Sequence, residues 1–464
     1  MKRLAFLGIV VAVGLQAGCM MGPNYKRPSV NVPQGYRAVA PDQTASSSLG
    51  NEQWWQVYQD PVLTQLIHTA LAQNYDVRIA ATRVLEAQAQ LGITRSNQLP
   101  SASVGADIFS QGNAKVSNVF PAYQVNAGDI NLGVIWNLDF WGKYRRQTEA
   151  ARAQLLATEW GQRAVISSLV ANVATAYFQL RALDSQLEIS KRTLASRQQS
   201  LKLTQVLETH GSGSGLDVSQ AEQLVYTASE TIPDLERQIQ QQENLLSILL
   251  GENPGPIARG RALTEQPLTQ NVPAGLPSEL LERRPDVRQA EEFMVAANAQ
   301  IGAAKASFFP SLSLTGTGGL ESNALNKFIS GGAEAWYGAL SVTQPVFQGG
   351  RLRSELRLAR ANWQETVLSY KQTVQTALEQ VSNALIASQR DREFREQQEL
   401  LTQSAQRSDQ LSEVLYKNGG ASYLQVLTNE TNYFSAELNL VQAQLNERLA
   451  LVQLYQALGG GWQQ

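Results

Sequence analysis

Two stretches of this chain hold almost nothing that could break a helix. Arg351–Asn418 contains neither Gly nor Pro. Lys143–His210, of equal length, has no Pro and only Gly161. As a single helix each would reach roughly 100 Å at a rise of ~1.5 Å per residue. That is several times the ~30 Å core of a bilayer, and both stretches are too polar to sit in lipid. Each ends in a glycine turn, Gly211-Ser212-Gly213-Ser214-Gly215 and Gly419-Gly420. Any fold must accommodate one long rod made twice.

Composition removes several classes of function. Lys+Arg 38 against Asp+Glu 40 gives a net charge of −2, so there is no basic field for a nucleic-acid backbone. A hydrophobic share of 43% is ordinary and excludes a polytopic helical membrane protein. Cys19 is the single cysteine, so no disulfide framework can form. Only two histidines, His68 and His210, are present, and they fall in unrelated places. A His-based metal centre or a Ser-His-Asp triad has almost no material. The carboxylates are scattered at helix-surface spacing, and no catalytic residue, metal or cofactor is expected. Of the four methionines, Met1, Met20 and Met21 crowd the N-terminus, which leaves no methionine-rich copper path.

The chain opens as a targeting segment. Lys2 and Arg3 precede the apolar run Leu4–Leu15, and Gln16-Ala17-Gly18-Cys19 follows. Small residues before a Cys resemble a bacterial lipoprotein cleavage site, at which Cys19 becomes the lipid-bearing first residue. Met20 stands where an inner-membrane retention Asp is common, and the rule points to the outer membrane. Residues 1–18 are thus expected to be a signal peptide and 19–59 a lipidated arm, extended and rich in Pro, Ser, Ala and Gln up to Gly50. A helix is predicted from Asp60-Pro61 to about Gln98, stopping before Pro100.

Two strands follow. Ala102, Val104, Ala106 and Ile108 share one face of Ser101–Ser110. In Ile130–Phe140, Ile130, Leu132, Val134, Trp136, Leu138 and Phe140 alternate with Asn131, Gly133, Asn137 and Asp139, Ile135 being the exception. About ten residues is the length a membrane β-strand needs. Polar Gln111–Gly128 reads as the loop between them. In the first rod Ile166, Leu169, Val173, Ala176, Leu180, Leu183 and Leu187 form a heptad seam. Leu216–Leu250 reads as a returning helix with a kink at Pro233. The Pro- and Gly-rich stretch 251–277 reads as a connector.

The plan then restarts. Asp76-Val77-Arg78 returns as Asp286-Val287-Arg288, and Pro100-Ser101 as Pro310-Ser311. Leu340, Val342 and Val346 match Leu132, Val134 and Leu138. Val367, Tyr370, Val374, Ala377, Val381 and Ala384 repeat the rod spacing. Leu216-Asp217-Val218 and Glu222 return as Leu424-Gln425-Val426 and Glu430. The chain therefore reads as a duplicated domain. Repeat 60–250 has its hairpin at 101–140 and long helix at 143–210. Repeat 278–456 has its hairpin at 311–347 and long helix at 351–418, and 457–464 is a tail.

Four membrane strands cannot close on themselves, and open edges are not tolerated in lipid. Eight would be filled by side chains, whereas twelve leave a pore. Twelve strands from four per chain means a homotrimer. Aromatic residues at the strand ends, Trp136, Phe140, Trp141, Phe308, Phe309, Trp336, Tyr337 and Phe347, suit interfacial girdles. The narrow rod seams leave the opposite helix face wet, so twelve rods in a ring would form a water-filled tube. The fold class is mainly α with a β-barrel portion.

At this point the chain resembles the outer membrane factor family of TolC- and OprM-like channels, in the lipoprotein branch named for NodT. The carrying stretches are Leu276-Pro277-Ser278-Glu279-Leu280-Leu281-Glu282-Arg283-Arg284-Pro285-Asp286-Val287-Arg288-Gln289-Ala290-Glu291 and Gly18-Cys19 followed by Gly22-Pro23-Asn24-Tyr25-Lys26-Arg27-Pro28. The resemblance implies a trimer with a 12-strand outer-membrane β-barrel on a 12-helix periplasmic α-barrel. It also implies a mixed collar made by the N-terminal arm, 251–277 and the tail. A periplasmic adaptor and an inner-membrane pump are the implied partners, besides outer-membrane lipid. The implied activity is passive export of small molecules through a tube that opens at its periplasmic tip. In OprM-like members a Leu and an Asp four residues on ring that aperture; the matching positions are Leu424 and Thr428. A threonine ring cannot repel as carboxylates do, so Leu424 is expected to be the main seal. Asp217, Lys417 and Tyr423 lie close enough to join a tip network. Gly211, Gly213, Gly215, Gly419 and Gly420 are candidate adaptor contacts. A type I protein-secretion channel, a non-conducting envelope coiled-coil protein and a carboxylate-dependent envelope hydrolase are the competing readings.

Overall fold

Each long glycine- and proline-poor stretch is one unbroken helix of 67 residues. The computed structural model of the chain describes residues 20–33, 35–36, 48–113, 123–265, 277–323, 327 and 332–462. In chain order the elements are α1 (Trp54–Tyr58), α2 (Pro61–Gln73), α3 (Tyr75–Ser96), β1 (Ser101–Asn113), β2 (Tyr123–Leu138), α4 (Lys143–Thr209) and α5 (Gly215–Leu250). They continue as α6 (Pro277–Arg283), α7 (Pro285–Ala306), β3 (Ser311–Ser322), β4 (Glu334–Thr343), α8 (Arg351–Lys417) and α9 (Tyr423–Ala457). Single 3-10 turns lie at Leu49–Asn51 and Leu263–Glu265. The signal segment, Cys19, residues 37–47 and Leu276 lie outside the described residues. No described helix is long and apolar enough to cross a membrane. The chain divides into two compact units, one of residues 1–29, 83–159 and 289–371, the other of 30–82, 160–288 and 372–464.

The first unit contains a four-stranded antiparallel sheet in the order β1-β2-β3-β4. Register decides its two faces. Ala102, Val104 and Ala106 lie opposite Val134, Leu132 and Ile130. Trp136 and Leu138 lie opposite Leu314 and Leu312, which face Leu340 and Val342 in turn. One face is therefore apolar across all four strands. It is also exposed, as Val104, Ile108, Leu132, Leu340 and Val342 show. The other face carries Ser103, Asn131, Gly133, Asn137, Ser313, Thr315, Thr317 and Ser341. The strands run further into the first hairpin than the alternation predicted. β1 continues to Asn113 and β2 begins at Tyr123, so much of the expected loop Gln111–Gly128 is paired strand. Phe140 falls in the turn after β2 rather than in the strand.

The extended arm is pinned within this unit. Arg27 forms a salt bridge with Glu291 at 2.6 Å, and Tyr25 Oη donates to the same carboxylate at 3.1 Å. The buried Arg146 guanidinium donates to Met21 O at 3.1 Å and Asn24 Oδ1 at 2.9 Å. Asn298 Nδ2 donates to Pro23 O at 3.0 Å. A Cβ on Gly302 would sit 2.7 Å from Met21 O, so the arm lies directly on the α7 backbone.

The second unit corrects two expectations. The helix predicted from Asp60 to Gln98 is broken at Asn74. Asn74 Nδ2 donates to Leu249 O at 3.0 Å, and its Oδ1 accepts from the backbone of Asp76 at 2.8 Å. The end of α5 thus docks at the joint between α2 and α3. The break recurs in the second repeat at Arg284, between α6 and α7. There Arg284 donates to Ala457 O at 3.1 Å, so the end of α9 docks at the matching joint. The second correction concerns α4. Its seam residues Ile166, Leu169, Val173, Ala176 and Leu180 are buried as expected, but so are Val170, Ala171, Ala174, Tyr177, Phe178 and Ala182. This part of α4 is covered nearly all round, because three other segments gather on it. Ser167 Oγ donates to Gly460 O at 2.6 Å. Tyr177 Oη donates to Asp60 at 3.0 Å and accepts from Gly260 N at 2.9 Å. On α8, by contrast, burial follows the predicted line Tyr370, Val374, Ala377, Val381 and Ala384. α5 runs as one helix through Pro233.

Asp60 is fully buried and holds several partners at once. It caps α2 by accepting from Val62 N at 2.8 Å and Leu63 N at 3.2 Å, and it accepts from Arg261 N at 3.2 Å. Asp60→Ala removes a helix cap (about 1 kcal/mol). It also strands Tyr177 Oη and Arg261 N, at about 1–3 kcal/mol each. The expected result is a thermal midpoint several degrees lower in detergent, with Asp234→Asn on the exposed face of α5 as the unchanged control.

Candidate functional site at the glycine turns

The two rods end alike. Gly211 has φ of 72° and Gly419 has φ of 73°, left-handed values that favour glycine. Ser212 N donates to Leu207 O at 2.8 Å and Gly211 N to Glu208 O at 2.9 Å. Gly420 N donates to Leu415 O at 2.8 Å and Gly419 N to Tyr416 O at 3.0 Å. Both are Schellman ends, which satisfy the last carbonyls of a helix and reverse the chain. Ser214 then opens α5 with a capping box, its Oγ accepting from Asp217 N at 3.2 Å while Asp217 Oδ2 accepts from Ser214 N at 3.0 Å. A Cβ on Gly213 would lie 3.1 Å from Glu208 N, whereas nothing lies within 4 Å of one on Gly211 or Gly419. A Cβ on Gly215 would approach Glu208 Oε1 at 3.3 Å, and one on Gly420 would approach Leu415 at 3.5 Å.

Beyond the second turn, Tyr423 and Val426 are buried against Ala221, with Leu201, Tyr416 and Leu427 packed around them. These residues bring α4, α5, α8 and α9 together. Leu424 points the other way and is 58% exposed. Thr428 is exposed one turn further on, and its Oγ1 donates to Leu424 O at 2.8 Å. The two lie on one face of α9, and the threonine proton is already used within the helix.

Asp217, Lys417 and Tyr423 do not pair with one another. Asp217 serves the cap, Lys417 forms a salt bridge with Glu413 at 3.1 Å, and Tyr423 Oη is buried without a partner. The tip is instead tied by residues that spacing did not single out. Ser200 Oγ on α4 donates to Glu430 Oε1 on α9 at 3.1 Å. Arg192 on α4 pairs with Glu437 on α9. Arg197 is buried, stacks over the Phe434 ring at 5.1 Å and donates to Leu224 O at 2.9 Å. Burial, and then the Glu430 charge, raise the Tyr423 hydroxyl pKa well above its usual value. Burial and the nearby carboxylates Glu430, Glu413 and Glu437 push Asp409 up to about 6. In the sequence Glu430 stands out only as the repeat partner of Glu222. The two environments differ, since Glu222 is half-buried and Glu430 is buried.

The two repeats are also visible to comparison. The sequence profile of the family described as Outer membrane efflux protein matches residues 66–252 and again 276–460. The chain belongs to that family. It is 35% identical over 465 residues to the probable efflux pump outer membrane protein TtgC of Pseudomonas putida, covering 99% of this chain and 96% of the relative. It is 33% identical to the cation efflux system protein CusC of Escherichia coli K12, covering 99% of this chain and all of the relative. The open state of the MtrE outer membrane channel of Neisseria gonorrhoeae superposes with a TM-score of 0.88 at 31% identity, over 96% of this chain and 99% of that one. The fold is thus that of the outer-membrane efflux channels, mainly helical with four antiparallel strands and two repeats. The chain is a channel component and not an enzyme. It is located in the outer membrane and extends into the periplasm, and it works with pump partners.

Proposed function

We propose that this chain is the exit duct of a tripartite efflux system, a homotrimer that carries small molecules from an inner-membrane pump across the periplasm and outer membrane. The exposed apolar face of the four-stranded sheet carries the reading. Such a face belongs in lipid, yet lipid tolerates no unpaired strand edge. Among the described residues, β1 and β4 have outer edges with no partner strand. Three copies joined edge to edge remove every edge and place the polar face inward, around a water-filled bore.

Leu424 is the seal of the duct. It is exposed on one chain, and its face of α9 is free to meet its two symmetry mates. Thr428 adds hydrogen-bonding capacity only. The glycine turns at 211–215 and 419–420 are the contact for a periplasmic adaptor, because a partner helix can approach their backbones closely. Cys19 carries the lipid. Its neighbour Met20 lies against Gly142, where an added Cβ would sit 3.1 Å from Met20 Cα, and Met21 N donates to Trp141 O at 3.2 Å. That is the end of the sheet at which the rods begin, where Trp141 stacks on Phe309 at 4.7 Å. A lipid there enters the periplasmic leaflet beside an aromatic belt. Relatives named for toluene efflux and for cation efflux both align along 99% of this chain, which fits a duct whose cargo is chosen by the pump.

Restoration of efflux tests the reading. In a strain lacking its own channel, the chain with its adaptor and pump is expected to fractionate with the outer membrane, migrate as a trimer and restore drug resistance. Cys19→Ser is expected to lose fatty-acid labelling while remaining a trimer. Recovery as a soluble or inner-membrane monomer would overturn the duct.

A further inference from the structure

We infer that Asp409, Glu413 and Glu430 form a divalent-cation site between α8 and α9, with calcium as the best-fitting ion. The site goes beyond the duct reading and does not depend on it. Asp409 and Glu413 stand one turn apart on α8, and Glu430 faces them from α9. One carboxylate oxygen from each lies within 4.8 Å of the others. Carboxylates projecting from facing helices are how helical bundles hold metal ions.

Three buried oxygens without a hydrogen-bond partner point to a ligand at this place. Glu430 is 7% exposed, and its Oε2 has no partner although Oε1 accepts from Ser200. Tyr423 is 4% exposed, and its Oη also has no partner. Tyr423 lines a cavity of about 90 Å³ together with Ser200, Glu413, Tyr416 and Lys417. Asp409 Oδ1 is likewise buried and unpartnered. Polar atoms left this way cost about 1–3 kcal/mol each, more for charged groups, unless a ligand or water meets them.

The nearby cations do not fill the need. Lys417 meets Glu413 alone of the three, at 3.1 Å. Arg197 gives Nη1 to Leu224 O at 2.9 Å, and its Nε is itself unpartnered. Arg192 is engaged by Glu437. All the available donors are oxygens, which select a hard cation over copper or zinc. Oxygens within 4.8 Å of one another admit either ion by distance, and calcium is favoured because it accepts irregular oxygen geometry where Mg²⁺ demands a near-ideal octahedron. Glu413 alone of the three carboxylates lines the cavity, which gives water a route to complete the shell from that side. With three carboxylates partly offset by Lys417 and Arg197, the affinity belongs to the weaker range of calcium sites, about 10⁻⁴–10⁻³ M.

The test uses the full-length protein in detergent with Tb³⁺ as the calcium probe. Tyr423 and Tyr416 are expected to sensitise Tb³⁺ emission that saturates, and Ca²⁺ is expected to displace it at lower concentration than Mg²⁺. Glu430→Gln and Asp409→Asn, each neutral and nearly isosteric, should each weaken Tb³⁺ binding about tenfold or more. Tyr423→Phe should dim the emission while leaving calcium binding by calorimetry within a few-fold. Asp234→Asn, exposed on α5, should change nothing. The site is overturned if wild-type protein gives no saturable emission, or if the two carboxylate variants titrate like wild type.

Discussion

Leu132→Arg is expected to abolish the assembled channel. Leu132 sits mid-strand on the apolar face, opposite Val104 on one side and Gly318 on the other, and it is 51% exposed in a single chain. In the barrel its side chain meets lipid. An arginine near the bilayer midplane of a β-barrel costs about 2–4 kcal/mol. A trimer carries the change three times, so about 6–12 kcal/mol is at stake if the terms add. The measurement is the amount of trimer in the outer membrane, by fractionation and non-denaturing electrophoresis. The matched control is Ser103→Arg, at similar depth on the polar face, where Ser103 lies opposite Gly133. That arginine enters the wet bore and should leave trimer levels near wild type while altering ion selectivity. Equal loss of both variants would remove the assignment of faces.

Leu424→Ala is expected to open the channel. Leu424 is 58% exposed, while its neighbours Tyr423 and Val426 supply the buried face of α9 at 4% and 2% exposure. Truncating Leu424 therefore leaves the packing of the tip intact and removes only what projects from it. If Leu424 is the proposed seal, that projection meets two copies of itself in a trimer, and shortening it to a methyl group widens the ring. A several-fold rise in single-channel conductance in a planar bilayer is the expected reading, with no change in thermal midpoint. Unchanged conductance would show that the seal lies elsewhere. Thr428→Asp supplies the complementary test. It places three carboxylates one turn from the leucine ring, and conductance should then fall on adding divalent cations, as it should not in wild type.

The rods, the hairpins and the duplication were legible because they rest on local rules. A 67-residue helix needs no Pro and almost no Gly, Gly161 being the one glycine in the two rods, and it ends where Gly211 or Gly419 adopts a left-handed φ. The alternation of Leu132 and Asn131 gives the two faces of the sheet, because side chains on a strand point to opposite sides in turn. The helix break at Asn74 was not legible. Its local signal is Asn74 itself, whose Oδ1 caps α3 by accepting from Asp76 N and Val77 N, but an Asn in a polar stretch reads as helix surface until Leu249 O, 175 residues away, meets its Nδ2. The same holds for the wide buried band on α4. A heptad seam shows one partner helix, whereas Gly460, Gly260 and Asp60 arrive from three distant segments.

At the site the division is sharper. Spacing alone put Leu424 and Thr428 on one helix face, and a turn of separation guarantees that in any α-helix. It could not show whether that face was buried, since exposure depends on what α4, α5 and α8 cover. Nor could spacing join Asp409 and Glu413 to Glu430, which becomes a neighbour only when the Gly419 turn folds α9 back along α8. Residue order is enough for what is periodic or local: two helical rods, four strands with one apolar face, and turns at fixed glycines. The tertiary structure alone decided which polar groups lose their water. Burial is set by distant segments, and it turned Glu430, Tyr423 and Arg197 from ordinary helix residues into the charged interior of the tip.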